Sequence, residues 1–168
     1  MVYRRLGRGD CEAYREVRKR ALKENPTAFG SDYDSVKDLP RLGFEDYLEN
    51  YHEGTFAFGA FDNGKLVGLC SFLRNRGPKE RHRGFIIQMY IVPEMAGQGI
   101  GLGVLEAVIV EAEKIKGLIQ LELDVNVANK AAIRIYEKAG FKPVATLPNN
   151  LMYNGQCYDF LLMVRGKE

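Results

Sequence analysis

The chain has 168 residues, a formal net charge of +2 and a hydrophobic fraction of 46%. This length suits one domain with a single core and is short for two, so we expect residues 1–168 to form one domain. The near balance of charge gives no reason to expect a nucleic-acid partner. No segment is long and apolar enough to cross a bilayer, and the N-terminus lacks the apolar centre of a signal peptide, so we expect a cytoplasmic protein without a membrane partner.

The cysteines and histidines predict neither a disulfide framework nor a metal site. Cys11, Cys70 and Cys157 are odd in number, far apart in sequence and in no CxxC pair. The two histidines, His52 and His82, are too few for a His-rich metal cluster. We therefore expect no bound metal.

The N-terminal segment predicts a strand followed by a helix. Residues 2–6 have the composition of a strand, and Asp10 stands where an N-cap would begin a helix. The helix should end at Asn25, because the residue before Pro26 is pushed out of the helical region. The side of this helix that faces the core would carry Tyr14, Val17 and Ala21.

Two Asn-Gly pairs predict β-hairpins. Asn63-Gly64 lies between two apolar segments, and Asn154-Gly155 lies between the last two strands of the chain. Asn-Gly readily adopts the positive φ angles that a two-residue hairpin turn needs. Residues 44–51, which precede the first hairpin, are weakly helical in pattern.

The middle of the chain predicts a strand, a glycine-rich loop, a helix and a second strand. An apolar run over residues 85–92 ends at Pro93, and the helix that follows should stop near Gly117. Its inward side would carry Val104, Leu105, Val108, Ala112 and Ile115. Residues 119–125 then alternate, with aliphatic side chains on one face and Gln120, Glu122 and Asp124 on the other.

This order of elements predicts the fold class. The centre of the chain runs strand, glycine loop, helix, strand and helix, and hairpins lie on both sides of it. We expect a single-domain α/β (α+β mixed) fold with a mixed, mostly antiparallel sheet. It should have a central parallel crossover and helices on both faces.

Four glycines at alternate positions begin the central helix, in the segment AGQGIGLGVLEAVIVEAEKIKG, residues 96–117. A helix N-terminus offers unpaired backbone N–H groups and partial positive charge, and glycine lets a ligand approach them. A phosphate-bearing ligand is therefore expected, with close helix packing or a flexible connection as the structural alternative. The segment lacks the Lys-Ser/Thr of a P-loop and the third glycine of GxGxxG.

Two segments resemble motifs of the GNAT superfamily of N-acetyltransferases, which transfer an acetyl group from acetyl-CoA to an amine. MYIVPEMAGQGIGLGVL, residues 89–105, resembles the pyrophosphate loop Q/R-x-x-G-x-G/A, and LDVNVANKAAIRIYEKAGF, residues 123–141, resembles N-x-x-A-x-x-x-Y-x-x-x-G-F. Ala96 stands where the loop motif has Gln or Arg, which removes a side-chain contact but leaves the backbone N–H groups. The resemblance implies a GNAT-like acyl-CoA N-acyltransferase fold, acetyl-CoA as donor, and a small-molecule or peptide amine as acceptor.

The resemblance also implies which residues form the site. Met89 and Ile91 would bind the pantetheine arm through their backbone and aim a backbone N–H at the thioester oxygen. Asn129 would cap its helix or hydrogen-bond the cofactor. Tyr136 falls at the position of the usual general acid toward the CoA sulfur, although a tyrosine packed in the core explains the same helical pattern. The loop that binds the diphosphate would comprise Gly97, Gln98, Gly99, Ile100 and Gly101.

Asp124 is the candidate general base. It lies nearest the carboxyl end of its strand, where open α/β sheets usually bind ligands. Its spacing from Tyr136 resembles that of the Glu and Tyr pair of bacterial N-terminal protein acetyltransferases. Glu122 is the second candidate, a water relay is a third route, and a carboxylate without function on a wet face is the structural alternative.

The acceptor and the oligomeric state stay open at this stage. Residues 32–53 are acidic and aromatic, and in GNAT proteins this region borders the acceptor cleft, where it could attract a cationic amine; a solvated amphipathic helix explains it equally well. The leading hypothesis is an acetyl-CoA-dependent N-acetyltransferase that acts by direct attack. The alternatives are a non-catalytic CoA-binding or sensing domain and, less favoured, a Rossmann-type nucleotide binder. The two C-terminal strands could form the contact surface of a homodimer.

Ligand-dependent thermal unfolding tests the cofactor prediction. A ligand that binds only the folded state raises the unfolding temperature. We expect a measurable rise with acetyl-CoA and none with NAD or ATP. The absence of a shift at millimolar acetyl-CoA would argue against both the enzyme and the sensing domain.

Overall fold

The computed structural model describes residues 1–166, which form seven strands and four α-helices. Within these residues no helix combines the length and the apolar character that crossing a bilayer requires. In chain order the elements are β1 (Val2–Arg5), α1 (Cys11–Glu24), α2 (Glu45–Glu49), β2 (Thr55–Asp62), β3 (Lys65–Arg74), β4 (Arg83–Ile91), α3 (Ile100–Glu113), β5 (Gln120–Asn126), α4 (Lys130–Lys138), β6 (Lys142–Tyr153) and β7 (Gln156–Gly166).

The strands hydrogen-bond into one sheet in the order β1-β2-β3-β4-β5-β7-β6. β4 and β5 run parallel, and the other neighbouring strands in the described residues are antiparallel. The two Asn-Gly turns join β2 to β3 and β6 to β7, as predicted. The mixed, mostly antiparallel sheet with a central parallel pair is therefore confirmed.

The parallel pair is short, and the two strands separate beyond it. β4 and β5 are paired only from Arg83↔Gln120 to Phe85↔Glu122. Beyond this point β4 carries a β-bulge, because Ser71↔Ile87 and Leu69↔Tyr90 leave one residue of β3 opposite two of β4. The backbone edge of β4 that faces β5 thus has no strand partner after Phe85 within residues 1–166.

Helices cover both faces of the sheet around β4. Gly101 of α3 lies against Met89 and Ile91. Tyr90, whose side chain points to the opposite face, donates a hydrogen bond to Glu24 of α1. The residues predicted to face the core from the central helix are all buried, namely Val104, Leu105, Val108, Ala112 and Ile115.

β5 departs from the predicted alternation. Ile119 precedes the strand and is 58% exposed, whereas Glu122 is only 4% exposed. Glu122 can be buried because Arg83 and Gln120 donate hydrogen bonds to its Oε1, at 2.9 and 2.7 Å. The prediction that the polar side chains of this strand face solvent is therefore wrong for Glu122 and correct for Asp124, which is exposed.

Two helix ends also differ from the predictions. The side chain of Asp10 makes no capping hydrogen bond to α1. It accepts instead from the backbone N–H of Gly7 at 2.8 Å and from the Arg4 guanidinium, so it fastens β1 to the following turn. α3 ends at Glu113, earlier than the predicted stop near Gly117.

Gly84, which lies opposite Leu121 in the parallel pair, should tolerate no side chain. A Cβ at this position would overlap the ring of Phe72, which is fully buried, and would lie 3.1 Å from the carbonyl oxygen of Leu73. We expect Gly84→Ala to lower the free energy of unfolding by about 1–3 kcal/mol, measured by urea denaturation. Gly9→Ala is the control, because no atom lies within 4 Å of a Cβ built there. Equal stability of the two variants would contradict this account of the packing.

Candidate active site

The gap between β4 and β5 forms a cavity of about 800 Å³. Its walls are β4 and the end of β5, together with α4, residues 28–31 after α1, and residues 150–152 of β6. The separation of two neighbouring strands therefore produces a cleft in the middle of the sheet, where backbone and side chains from several elements converge.

The cavity brings together one part of the predicted site. The predicted residues that line it are Met89, Ile91, Asp124, Asn129 and Tyr136. The predicted loop, residues 97–101, does not line it but lies at the N-terminus of α3, packed on the same β4 residues through Gly101. The site thus has an inner cavity and an outer loop.

The loop presents free backbone donors. Within residues 1–166, the backbone N–H groups of residues 97–102 donate no hydrogen bond, and the first bond of α3 runs from the N–H of Gly103 to the carbonyl of Gly99. Gly97 and Gly99 have φ angles of 77° and 78°, in the left-handed region that favours glycine. Unpaired N–H groups at the start of a 14-residue helix are suited to bind an anion, and the assignment of this loop to the cofactor stays a prediction.

The four alternating glycines have two different causes. Gly97 and Gly99 give the loop its backbone conformation, and nothing lies within 4 Å of a Cβ built on either. At Gly101 a Cβ would lie 3.3 Å from Met89 Cε, and at Gly103 it would overlap the ring of Tyr3. Packing therefore explains Gly101 and Gly103, and the anion-binding interpretation stays a prediction that concerns Gly97 and Gly99.

Tyr136 of α4 presents an unpaired hydroxyl to the cavity. Its side chain is 7% exposed, its ring lies 6.1 Å from that of Phe141, and its hydroxyl makes no hydrogen bond within residues 1–166. Burial, with a smaller contribution from the Cys70 thiol, raises the pKa of Tyr136 well above its usual value. At neutral pH the group is a phenol that can donate a hydrogen bond.

Asp124 presents a free carboxylate to the same cavity. It forms neither an ion pair nor a hydrogen bond within the described chain. Although Asp124 is exposed as a residue, the cavity partly desolvates its carboxylate, and this effect, followed by the negative charge of Glu122, raises the pKa of Asp124 above its usual value. The carboxylate is therefore a stronger base than an ordinary aspartate.

Glu122 and Asn129 have structural roles. Glu122 is buried and paired with Arg83, and it does not line the cavity, so it is unsuited to be the base. Asn129 accepts a hydrogen bond from the N–H of Ala132 at 3.1 Å, so it caps α4, which is one of its two predicted roles. Its other predicted role, in binding the cofactor, stays a prediction.

Sequence patterns missed a polar group that fixes the bulge of β4. Gln88 has a φ of 58°, unusual for a residue with a side chain. Its Oε1 accepts hydrogen bonds from the Tyr14 hydroxyl at 3.0 Å and from Ser71 Oγ at 3.1 Å. Burial raises the pKa of Tyr14 to about 12, so this phenol stays a donor. Nothing in the local sequence distinguishes Gln88 from the strand residues on either side, so the bulge could not be predicted.

The acidic segment does not line the cavity. Several of its carboxylates pair with nearby cations, as Asp34 does with Lys37 and as Asp46 and Glu49 do with Arg41 on the surface. Glu45 is buried and pairs with Arg15. The expectation that residues 32–53 form an acidic acceptor lining is therefore not supported, and the amphipathic-helix alternative fits the structure better. The wall on this side comes from residues 28–31 instead.

Comparisons with known proteins identify the family of the chain. Residues 16–141 match the model of the Acetyltransferase (GNAT) family. N-alpha-acetyltransferase 30 of Schizosaccharomyces pombe is 35% identical over 118 residues, which cover 63% of this chain and 77% of that protein.

Solved structures show the same fold. An acetyltransferase of the GNAT family from Streptococcus pneumoniae superposes with a TM-score of 0.84 at 24% identity, covering 99% of both chains. The protein yncA of Salmonella typhimurium, solved with its cofactor acetyl-CoA, gives a TM-score of 0.81 at 22% identity, covering 100% of this chain and 94% of that one. The predicted fold class and enzyme class, an acetyl-CoA-dependent acyltransferase, are confirmed. The chain belongs to the GNAT family of acetyltransferases.

Proposed function

We propose that the protein is an N-acetyltransferase that transfers the acetyl group of acetyl-CoA to the primary amine of a peptide or small molecule by direct attack. The observation that carries the proposal is that one cavity contains both the free carboxylate of Asp124 and the unpaired phenol of Tyr136. The likeness to a yeast N-alpha-acetyltransferase favours a peptide α-amine as the acceptor.

The loop at the start of α3 fits the donor. Unpaired N–H groups from Gly97 to Leu102 would hold the diphosphate, and the exposed Gln98 and the N–H of Ile100 belong to the same turn. The backbone of Met89 and Ile91 would hold the pantetheine arm, because the edge of β4 that faces β5 has no strand partner there. Ala96 removes one side-chain contact from this arrangement and no backbone donor.

Bound acetyl-CoA supplies an acetyl group activated as a thioester. Asp124 would accept a proton from the acceptor ammonium, directly or through one water, so that the amine nitrogen can form its bond to the acetyl carbon as the carbon–sulfur bond breaks. The raised pKa of Asp124 helps this step, because it reduces the difference between the pKa of the carboxylate and that of the amine.

Tyr136 would donate a hydrogen bond to the departing sulfur. With ordinary pKa values near 10 for a phenol and 8.5 for a thiol, full transfer of the proton is uphill by roughly 2 kcal/mol. Burial raises the pKa of Tyr136 further, which makes full transfer still less favourable. A hydrogen bond that strengthens as charge develops on sulfur is therefore the better-supported role.

We also propose that the protein can form a homodimer. β6 lies at an edge of the sheet, and its side chains Val144 and Met152 are largely exposed. A second copy could pair with this edge through backbone hydrogen bonds. The site itself needs no residue from a second copy.

Replacement of Asp124 tests the base. In the wild-type protein kcat/KM should fall as pH drops through the raised pKa of this carboxylate, because protonated Asp124 cannot accept a proton. We expect Asp124→Asn to lower kcat/KM at neutral pH by about 10²-fold or more and to abolish that acidic limb, measured by thiol release. Glu137→Gln is the control, since this exposed carboxylate of α4 does not line the cavity. An unchanged pH profile in Asp124→Asn would rule Asp124 out.

Replacement of Tyr136 separates the enzyme from the sensing domain. In a thiol-release assay over a panel of N-terminal peptides and small amines, Tyr136→Phe should lower kcat by about 10²–10³-fold, because one donor to the developing charge is lost. Its thermal shift with acetyl-CoA should persist, and Tyr153→Phe, at an exposed tyrosine, should behave as wild type. Full activity of Tyr136→Phe would refute the role of Tyr136. Binding of acetyl-CoA without turnover of any amine by the wild type would favour the sensing domain.

A further inference from the structure

Arg18 of α1 is a buried cation without a partner. The residue is 5% exposed, and its Nη1 is a buried side-chain atom that no hydrogen bond reaches within residues 1–166. The residue forms no ion pair in the same part of the chain, whereas its neighbour Arg15 pairs with Glu45 at 2.7 Å. A guanidinium buried in this way is unfavourable unless something else supplies negative charge.

The surroundings of Arg18 leave its charge uncompensated. Its Cζ lies 4.6 Å from the centre of the Phe29 ring, and burial lowers its pKa from the usual value. An arginine nevertheless remains charged in a protein. The cavity that it lines contains one carboxylate, Asp124, which is not paired with it. No side chain within residues 1–166 pairs with Arg18, so a ligand in the cavity is suited to supply its counter-ion.

Arg18 belongs to the helix on the opposite face of the sheet from the loop of free N–H groups. α1 contacts the face of β4 from which Tyr90 projects, whereas α3 and the loop of free N–H groups lie on the opposite face with Met89. Residues 28–31, which follow α1, form the wall beside Arg18. The donor phosphates have their own backbone site, so Arg18 is left for the other substrate.

Resting on the function proposed above, we propose that Arg18 determines acceptor specificity by pairing with a carboxylate of the acceptor. The acceptor would thus be an amine that carries a carboxylate close to it, with the ammonium directed to Asp124 and the carboxylate to Arg18. Free amino acids and peptides with an acidic first residue share this chemistry. A polyamine would bring further positive charge next to an unpaired cation and is disfavoured.

Matched acceptors test the proposal. We would compare kcat/KM, by thiol release, for peptides that begin with Asp and with Asn, and for a free amino acid and its amide. A charge-assisted hydrogen bond gained by the carboxylate corresponds to a preference on the order of 10- to 100-fold for the acidic member of a pair. Preference in the peptide pair identifies an acidic first residue as the source, and preference in the second pair identifies the α-carboxylate of an amino acid.

Variants of Arg18 connect the preference to this side chain. Arg18→Met should remove most of the preference within each pair, and Arg18→Lys should keep part of it. Lys23→Met removes one positive charge from an exposed position of the same helix and should keep the wild-type ratio. The ratio is informative because misfolding lowers the amount of active enzyme and so scales both rates by the same factor, whereas the ratio reports the preference of the enzyme that remains folded.

The outcomes are distinguishable. Wild-type turnover without preference in either pair, or an equal loss on both members of each pair in Arg18→Met, would overturn the assignment of Arg18 and leave the acetyltransferase intact. Failure of the wild type to acetylate any amine would overturn the proposed function and this inference with it.

Discussion

The separation of β4 from β5 is the constraint on which the site depends. The two strands are paired over three residues each and then diverge, and the bulge at Gln88 directs β4 away from its neighbour. Divergence leaves part of the backbone of β4 without a sheet partner and opens the cavity between the strands. A continuous parallel pair would use the same backbone groups within the sheet and would close the space that the substrates need.

Glu122 links the stability of this junction to the chemistry beside it. Its ion pair with the partly exposed Arg83 joins β5 to β4 at the point where they begin to separate. Removal of Arg83 would leave the buried carboxylate of Glu122 without its cation, which is unfavourable. The same negative charge contributes to the raised pKa of Asp124, two residues along the strand. One carboxylate is thus structural and helps to adjust the basicity of the other.

Much of the fold could be predicted from the sequence, because its strands, helices and Asn-Gly turns follow local patterns. The resemblance to family motifs singles out the loop glycines and Tyr136, whose roles stay predictions. Other features depend on contacts between distant residues and have no local signal. The positive φ of Gln88 needs Tyr14 and Ser71, the burial of Glu122 needs Arg83, and nothing in the period of α1 distinguishes the unpaired Arg18 from its paired neighbours.

The attachment of the segment after α1 has a consequence for how such a site can diversify. Asn126, at the end of β5, donates a hydrogen bond to the carbonyl oxygen of Thr27 at 3.1 Å, and its Oδ1 accepts from the N–H of Ala128. Asn126 therefore holds this segment through its main chain and does not contact its side chains through this bond. Mutations among residues 27–31 can alter which acceptor fits while the anchor persists, so substrate range could drift during evolution without rebuilding the scaffold.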